Sequence, residues 1–184
     1  MTVRSVLTSN RVSLKLTSIP VQAEFNRVHI RRTVEDDLPR VAENMRAIDR
    51  LECLLGGDRS PIEALTAGLH ADFETYTILS NATDEPLAIF GIGPMSETAH
   101  YVWLLGTDAL LPEAGFQFAR ESRKWVSYLV NKHGLPCFNR VHKDNLIAIR
   151  WLRFCAAEFG EPIYDFIPFT LYPSCVTPYQ LHTL

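Results

Sequence analysis

The stretch Asn145-Leu146-Ile147-Ala148-Ile149-Arg150-Trp151-Leu152-Arg153-Phe154-Cys155-Ala156-Ala157-Glu158-Phe159 decides the fold. Its apolar residues recur at helical spacing, so Ile147, Ala148, Trp151, Leu152, Cys155 and Phe159 are expected on the buried face of one helix. Asp144 or Asn145 supplies the cap, because a short polar side chain there accepts from the free N–H groups of the first turn. Upstream, residues 137–142 read as a strand feeding that helix; downstream, apolar runs at 163–167 and 169–172 read as strands that finish the sheet. Pro168, Pro173 and Pro178 exclude helix from the tail and favour an extended strap.

Working outward, the preceding helix opens near Pro112, carries Phe116, Ala119, Val126, Leu129 and Val130, and stops at Gly134. Lys132 and His133 suit its negative end. Residues 101–105 read as a strand, and residues 76–79 and 87–92 flank Asn81-Ala82-Thr83-Asp84-Glu85-Pro86 as a hairpin. A helix is expected over residues 61–72, since Ser60, Pro61 and Glu63 compose an N-terminal box. An earlier helix is expected from Thr33, as cap, to Leu55, with Leu38, Val41, Met45, Ile48 and Leu51/Leu55 inward and Gly56-Gly57 as its stop. A strand at residues 28–32 precedes it. Residues 11–17 alternate polar and apolar, as a half-buried strand does, in an appended arm. The order predicts an α/β protein, more closely an α+β mixed sheet with helices packed on its faces. It divides into an arm at 1–26, a domain at 27–172 and a tail at 173–184.

The 184 residues suit one domain, and 47% hydrophobic against 21% charged residues supply a core and exclude the composition of disorder. A net charge of −3 argues against a protein that grips phosphate backbones, so no direct nucleic-acid binding is expected. No run approaches the roughly 18 to 20 apolar residues of a membrane helix, and the first 25 residues hold no secretory core, so no membrane contact is expected. Cys53, Cys137, Cys155 and Cys175 are widely spaced without C-x-x-C and read as small reduced thiols. The six histidines show no H-x-x-x-H, which leaves a metal site without a warrant. No G-x-S-x-G nucleophile turn is present. Trp103, Trp125 and Trp151 read as core or interface anchors, and Arg31-Arg32 and residues 120–124 as solvated faces.

The element order, with the N-x-x-A of Asn145 and Ala148, resembles the GNAT acyltransferase superfamily. More narrowly, Trp103, Thr107-Asp108, Asn139, Val141, Asn145 and Arg150-Trp151-Leu152 through Phe159 are similar to the GNAT-like internal virion protein A family of short-tailed bacteriophages. The likeness covers residues 27–172 in element order and residues 100–162 by residues. It implies a GNAT-like acyl-CoA N-acyltransferase fold with an N-terminal arm and an extended C-terminal tail.

In that superfamily an R/Q-x-x-G-x-G/A loop cradles the cofactor pyrophosphate with backbone N–H groups. The matching residues between Thr107 and Phe118 offer one glycine, Gly115, beside acidic Asp108 and Glu113 and a Pro112 that has no N–H. The position of the superfamily's general-acid tyrosine holds Leu152. The resemblance therefore implies no catalytic residue and no cofactor. It implies a structural or assembly protein of the virion, made in the host cytoplasm, with other virion proteins or itself as partners.

The alternative is an acetyl-CoA-dependent N-acetyltransferase acting on a small amine or a protein amino group. Leu105, Thr107, Asp108 and Asn145 would then be its cofactor contacts, and Glu74, Glu97 and His100 its candidate bases near strands lining the cleft. The loop at residues 107–118 separates the two. Backbone N–H groups converging on an open hollow favour catalysis; Leu110, Leu111 or Phe116 filling it disfavours catalysis. Two segments suit an interaction protein, the arm at 11–17 as an added strand and the tail at 166–179 as a groove ligand.

Overall fold

The central strands carry continuous apolar runs because both of their faces are covered. In the computed structural model, which describes residues 23–24, 27–57 and 59–174, β3 (Glu74–Ser80) is buried along its whole length. The first eight residues of β4 (Pro86–Ser96) are buried as well. Eight strands form one sheet in the order β1-β2-β3-β4-β5-β6-β8-β7, with β1 (Ala23–Glu24), β2 (Val28–Arg32), β5 (Ala99–Gly106), β6 (Cys137–His142), β7 (Glu158–Phe159) and β8 (Phe166–Leu171). The strand expected at residues 11–17, the tail from Cys175 onward and Pro178 lie outside the described residues.

Helices cover the sheet on two sides. α1 (Asp37–Glu43) and α3 (Pro61–Ala71) bury Leu38, Val41, Ala42 and Leu65 with Met45 and Ile89. α4 (Leu110–His133) and α5 (Leu146–Phe154) bury Trp125, Val126, Leu129, Ile149 and Leu152 with Ile78, Phe90 and Val102 in the larger core. The Ser60 box forms, the Glu63 carboxylate accepting from Ser60 N–H at 2.8 Å and from its hydroxyl at 2.6 Å. Among the described residues no helix is long and apolar enough to cross a membrane. Cys53, Cys137 and Cys155 are free thiols. Burial pushes Cys53 and Cys137 up to about 11 and Cys155 up to about 12, which keeps all three protonated.

Six expectations need correction. The single helix over 33–55 is two, because Met45 bridges to Thr107 and Arg46 N–H donates to Gly106 C=O at 2.9 Å, an exchange with β5 that interrupts the helical ladder. Thr33 is not its cap; Thr33 N–H donates to Thr75 C=O and Asp36 takes the N-cap position of α1. On α2 (Ala47–Gly57), Leu51 and Leu55 face outward and Asp49 is the buried residue. The last helix stops at Phe154, since Ala156 turns the chain with φ 65° and Phe159 pairs with Phe169 in the sheet. Ile147, expected inside, is 51% exposed. Pro168 sits within β8 and not in a tail; it lacks an N–H, but its C=O accepts from Gly160 at 2.9 Å.

Gly68 of α3 lies against the indole of Trp103, whose Nε1 donates to Asp72 at 2.6 Å. A Cβ at Gly68 would collide with that ring. Gly68→Ala is therefore expected to cost about 1–3 kcal/mol from overpacking, despite the roughly 1 kcal/mol helix-propensity advantage of alanine. Urea denaturation checks this, and an unchanged midpoint would mean that the indole moves freely.

Candidate functional site

The parallel pair β5 and β6 is joined only at His100↔Cys137 and Tyr101↔Phe138. One residue further along, the Asn139 side chain donates to Val102 C=O at 2.8 Å, and beyond that the strands run on unpaired to Gly106 and His142. Separated parallel strands leave a gap between them. A cavity of about 730 Å³ occupies it, lined in its depth by Val102, Trp125, Leu129 and Leu152 and toward solvent by Arg59, Arg140 and Arg150.

α2 closes the far end of the gap with acids. Asp49, at 0% exposure, accepts from Gly106 N–H at 2.8 Å and from Arg46 Nη2 and Nε at 2.8 and 3.0 Å. One turn on, Glu52 accepts from His142 N–H at 2.8 Å and from Asn145 Nδ2 at 3.1 Å. The i, i+3 spacing sets both carboxylates on one helix face, so each takes the terminal N–H of one of the two separated strands. Burial raises both carboxyls above their usual range, and the donated hydrogen bonds and Arg46 only partly offset it.

Leu105 and Asn145 line the cavity, whereas Thr107 and Asp108 do not. Asn145 is a cap as expected, its Oδ1 accepting from Ala148 N–H at 3.3 Å. Thr107 is buried with its hydroxyl donated to Leu87 C=O at 3.0 Å, and Asp108 is exposed.

In the loop, Leu110 turns into the core at 4% exposure and Leu111 is 47% exposed; both line the cavity without filling it, and the Phe116 side chain lies outside the described residues. Gly115 has φ 63° and ψ −171°, which breaks α4 and starts a second helical segment behind it. Only glycine adopts that backbone without strain. The loop residues do not fit a nucleotide pyrophosphate: Pro112 has no donor, Asp108 and Glu113 add negative charge, and the strand-end N–H groups of Gly106 and His142 are taken by Asp49 and Glu52. Leu152, where the resemblance implies the superfamily's general acid would stand, is buried at 4% exposure.

The candidate bases do not line this cleft, which corrects their expected placing. Glu74 begins β3, His100 is the second residue of β5 beside Cys137, and Glu97 lies on the turn between β4 and β5, all at the sheet end opposite Gly106 and His142. Glu74 accepts from Arg32, Lys132, His133 and Tyr76 at 2.7 to 2.9 Å, and against the upward pull of burial the bonds from Lys132, His133 and Tyr76 hold it down to about 2. His100 packs edge-on against Phe73 at 5.0 Å. Among the described residues no cluster of His, Cys, Asp and Glu could hold a metal ion.

Arg46, Asp49 and Glu52 are the site residues that sequence reasoning passed over. The signal was their charged i, i+3 register, which outranks leucine spacing on a helix whose polar face meets strand ends.

No family model matches the chain, and no curated protein matches it. Solved structures do. The GNAT domain of S. lividans PAT superposes with a TM-score of 0.61 at 13% identity, covering 82% of this chain and 96% of that one. The ribosomal-protein-S5-alanine acetyltransferase of Vibrio fischeri gives 0.59 at 11% identity, covering 86% and 100%. A ribosomal L7/L12 α-N-protein acetyltransferase, solved with coenzyme A, gives 0.55 at 8% identity, covering 81% and 96%. At these identities the likeness speaks for the backbone alone, and it agrees with the mixed sheet, the separated parallel pair and the α4–β6–α5 order: the chain has the fold of the GNAT N-acetyltransferases.

Proposed function

We propose that this chain is a structural or assembly protein of a tailed-phage virion, working through protein–protein contacts on a GNAT scaffold that no longer transfers acyl groups. One observation carries the loss of chemistry. At the strand ends the N–H groups of Gly106 and His142 are sealed by Asp49 and Glu52, while the proton-transfer position is a buried leucine, Leu152, which cannot exchange a proton. The surface suits contacts: α2 turns Leu51, Leu54 and Leu55 outward, and α5 exposes Leu146, Ile147 and Phe154. Other virion proteins, or a second copy, are the partners, and the virion is the place of action. The narrower sequence likeness over residues 100–162 is the support for the phage assignment.

Titration of acetyl-CoA into the purified chain tests this reading. No saturable heat up to millimolar ligand and no rise in melting temperature are expected. Micromolar binding would overturn it and favour the second reading, an acetyl-CoA-dependent N-acetyltransferase acting on an amine, for which the 730 Å³ cavity between β5 and β6 is the supporting observation.

A further inference from the structure

Successive residues of an α-helix turn by about 100°, so on α5 Leu146, Ile147, Arg150, Arg153 and Phe154 fall within an arc of about 120°, while Ile149 and Leu152 point into the core. All five residues of that stripe are exposed. At about 1.5 Å per residue it runs roughly 13 Å along the surface. The helix carries no acid, so its open face is apolar and cationic together.

The neighbouring helix adds a third cation. Arg123 of α4 sets its guanidinium 5.4 Å from the centre of the Phe154 ring, and Arg153 lies 5.6 Å from that of Phe159, so both are held over aromatic faces. Arg123, Arg150 and Arg153 form no ion pair among the described residues. On α4, Glu121 is already committed to Arg120 at 3.3 Å and Lys124 at 2.6 Å. Asp144 and Glu158 stand beyond the two ends of α5. A guanidinium held in place loses little freedom when its fork meets a carboxylate.

We infer that this face docks an acidic amphipathic helix of a partner protein, whose apolar side chains cover Leu146, Ile147 and Phe154 while its carboxylates meet Arg123, Arg150 and Arg153. Such a helix matches both halves of the stripe, anchors and charge, along one line. A second copy presenting the same stripe would set arginine against arginine. A lipid surface or a nucleic acid is an extended polyanion, and the chain's net charge of −3 opposes its accumulation there. The inference deepens the reading of the chain as a contact protein and rests on it.

Fluorescence anisotropy of a labelled synthetic helix of leucine and glutamate, with leucine at i, i+3, i+4 and i+7, titrated with the full chain, tests the inference. Saturable micromolar binding is expected, weakening about fivefold or more as salt rises from about 0.05 M to about 0.5 M. The same helix with lysine in place of glutamate should bind about tenfold more weakly. The double variant Arg150→Glu, Arg153→Glu alters exposed residues, so its melting temperature should match the parent. Its affinity for the glutamate helix should fall about tenfold, and its affinity for the lysine helix should rise. The inference is overturned by absent binding of the glutamate helix, by equal affinity for the lysine helix, by unchanged affinity in the double variant, or by tighter binding to phosphatidylglycerol vesicles or duplex DNA. Absent peptide binding removes this surface alone, whereas micromolar acetyl-CoA binding removes the reading on which it rests.

Discussion

Asp49→Ala lowers stability by about 3–5 kcal/mol, the usual cost of leaving one partner of a buried ion pair behind. Asp49 is fully buried and Arg46 nearly so, with 13% of its side chain exposed, so the substitution strands a guanidinium and orphans the N–H of Gly106 together. At roughly 2–4 °C per kcal/mol for a chain of this size, the melting temperature should fall by about 6–20 °C. The double variant Arg46→Leu, Asp49→Leu should lose less than Asp49→Ala alone, because apolar replacement of both partners removes the stranded charge. Urea denaturation of the two variants decides the matter. A loss below about 1 kcal/mol for Asp49→Ala would show that Arg46 reaches water and that the seal over β5 is weak.

Glu74→Gln is expected to remove most of the acid dependence of stability. The folded carboxyl is held at about 2 against an ordinary 4.5, by Lys132, His133 and Tyr76. A depressed carboxyl stabilises fully above its unfolded value and loses that contribution as pH falls through its folded value. The window therefore runs from about pH 4.5 down to about pH 2. Across it the shift is worth about 3 kcal/mol at 1.36 kcal/mol per unit. Urea midpoints measured from pH 6 to pH 2.5 should slope steeply downward for the parent and much less for Glu74→Gln. Parallel slopes would assign the acid sensitivity to other carboxylates, with buried Asp37 beside Arg31 the next to examine.

Much of the fold was legible because it rests on local pattern. The Ser60-Pro61-Glu63 start, the Asn145 cap, the glycine stop at Gly134 with φ 73° and the hairpin over residues 81–86 all depend on neighbours within a few residues. The failures share a different cause. Leucine spacing over residues 38–55 predicts one helix, but the backbone of Met45 and Arg46 bonds to Thr107 and Gly106, some sixty residues away in the chain. That exchange rotates α2 so that its acids, and not Leu51 and Leu55, meet the strand ends.

The candidate site was half legible for the same reason. Leu105 and Asn145 reach the cavity because a strand followed directly by its helix is a local unit. Glu74 and His100 sit near strands of the cleft but at the far end of the sheet, since strand order and direction decide which ends of β3 and β5 lie beside Gly106. No pattern along a single strand contains that information.

By itself the sequence determined a mixed sheet with helices packed on its faces and the caps at Ser60 and Asn145, because hydrophobic period and capping chemistry are properties of adjacent residues. The tertiary structure alone decided that β5 and β6 part after two paired residues and that Asp49 and Glu52 close the gap. Each of these arises from groups distant in the chain meeting where a buried N–H must find an acceptor.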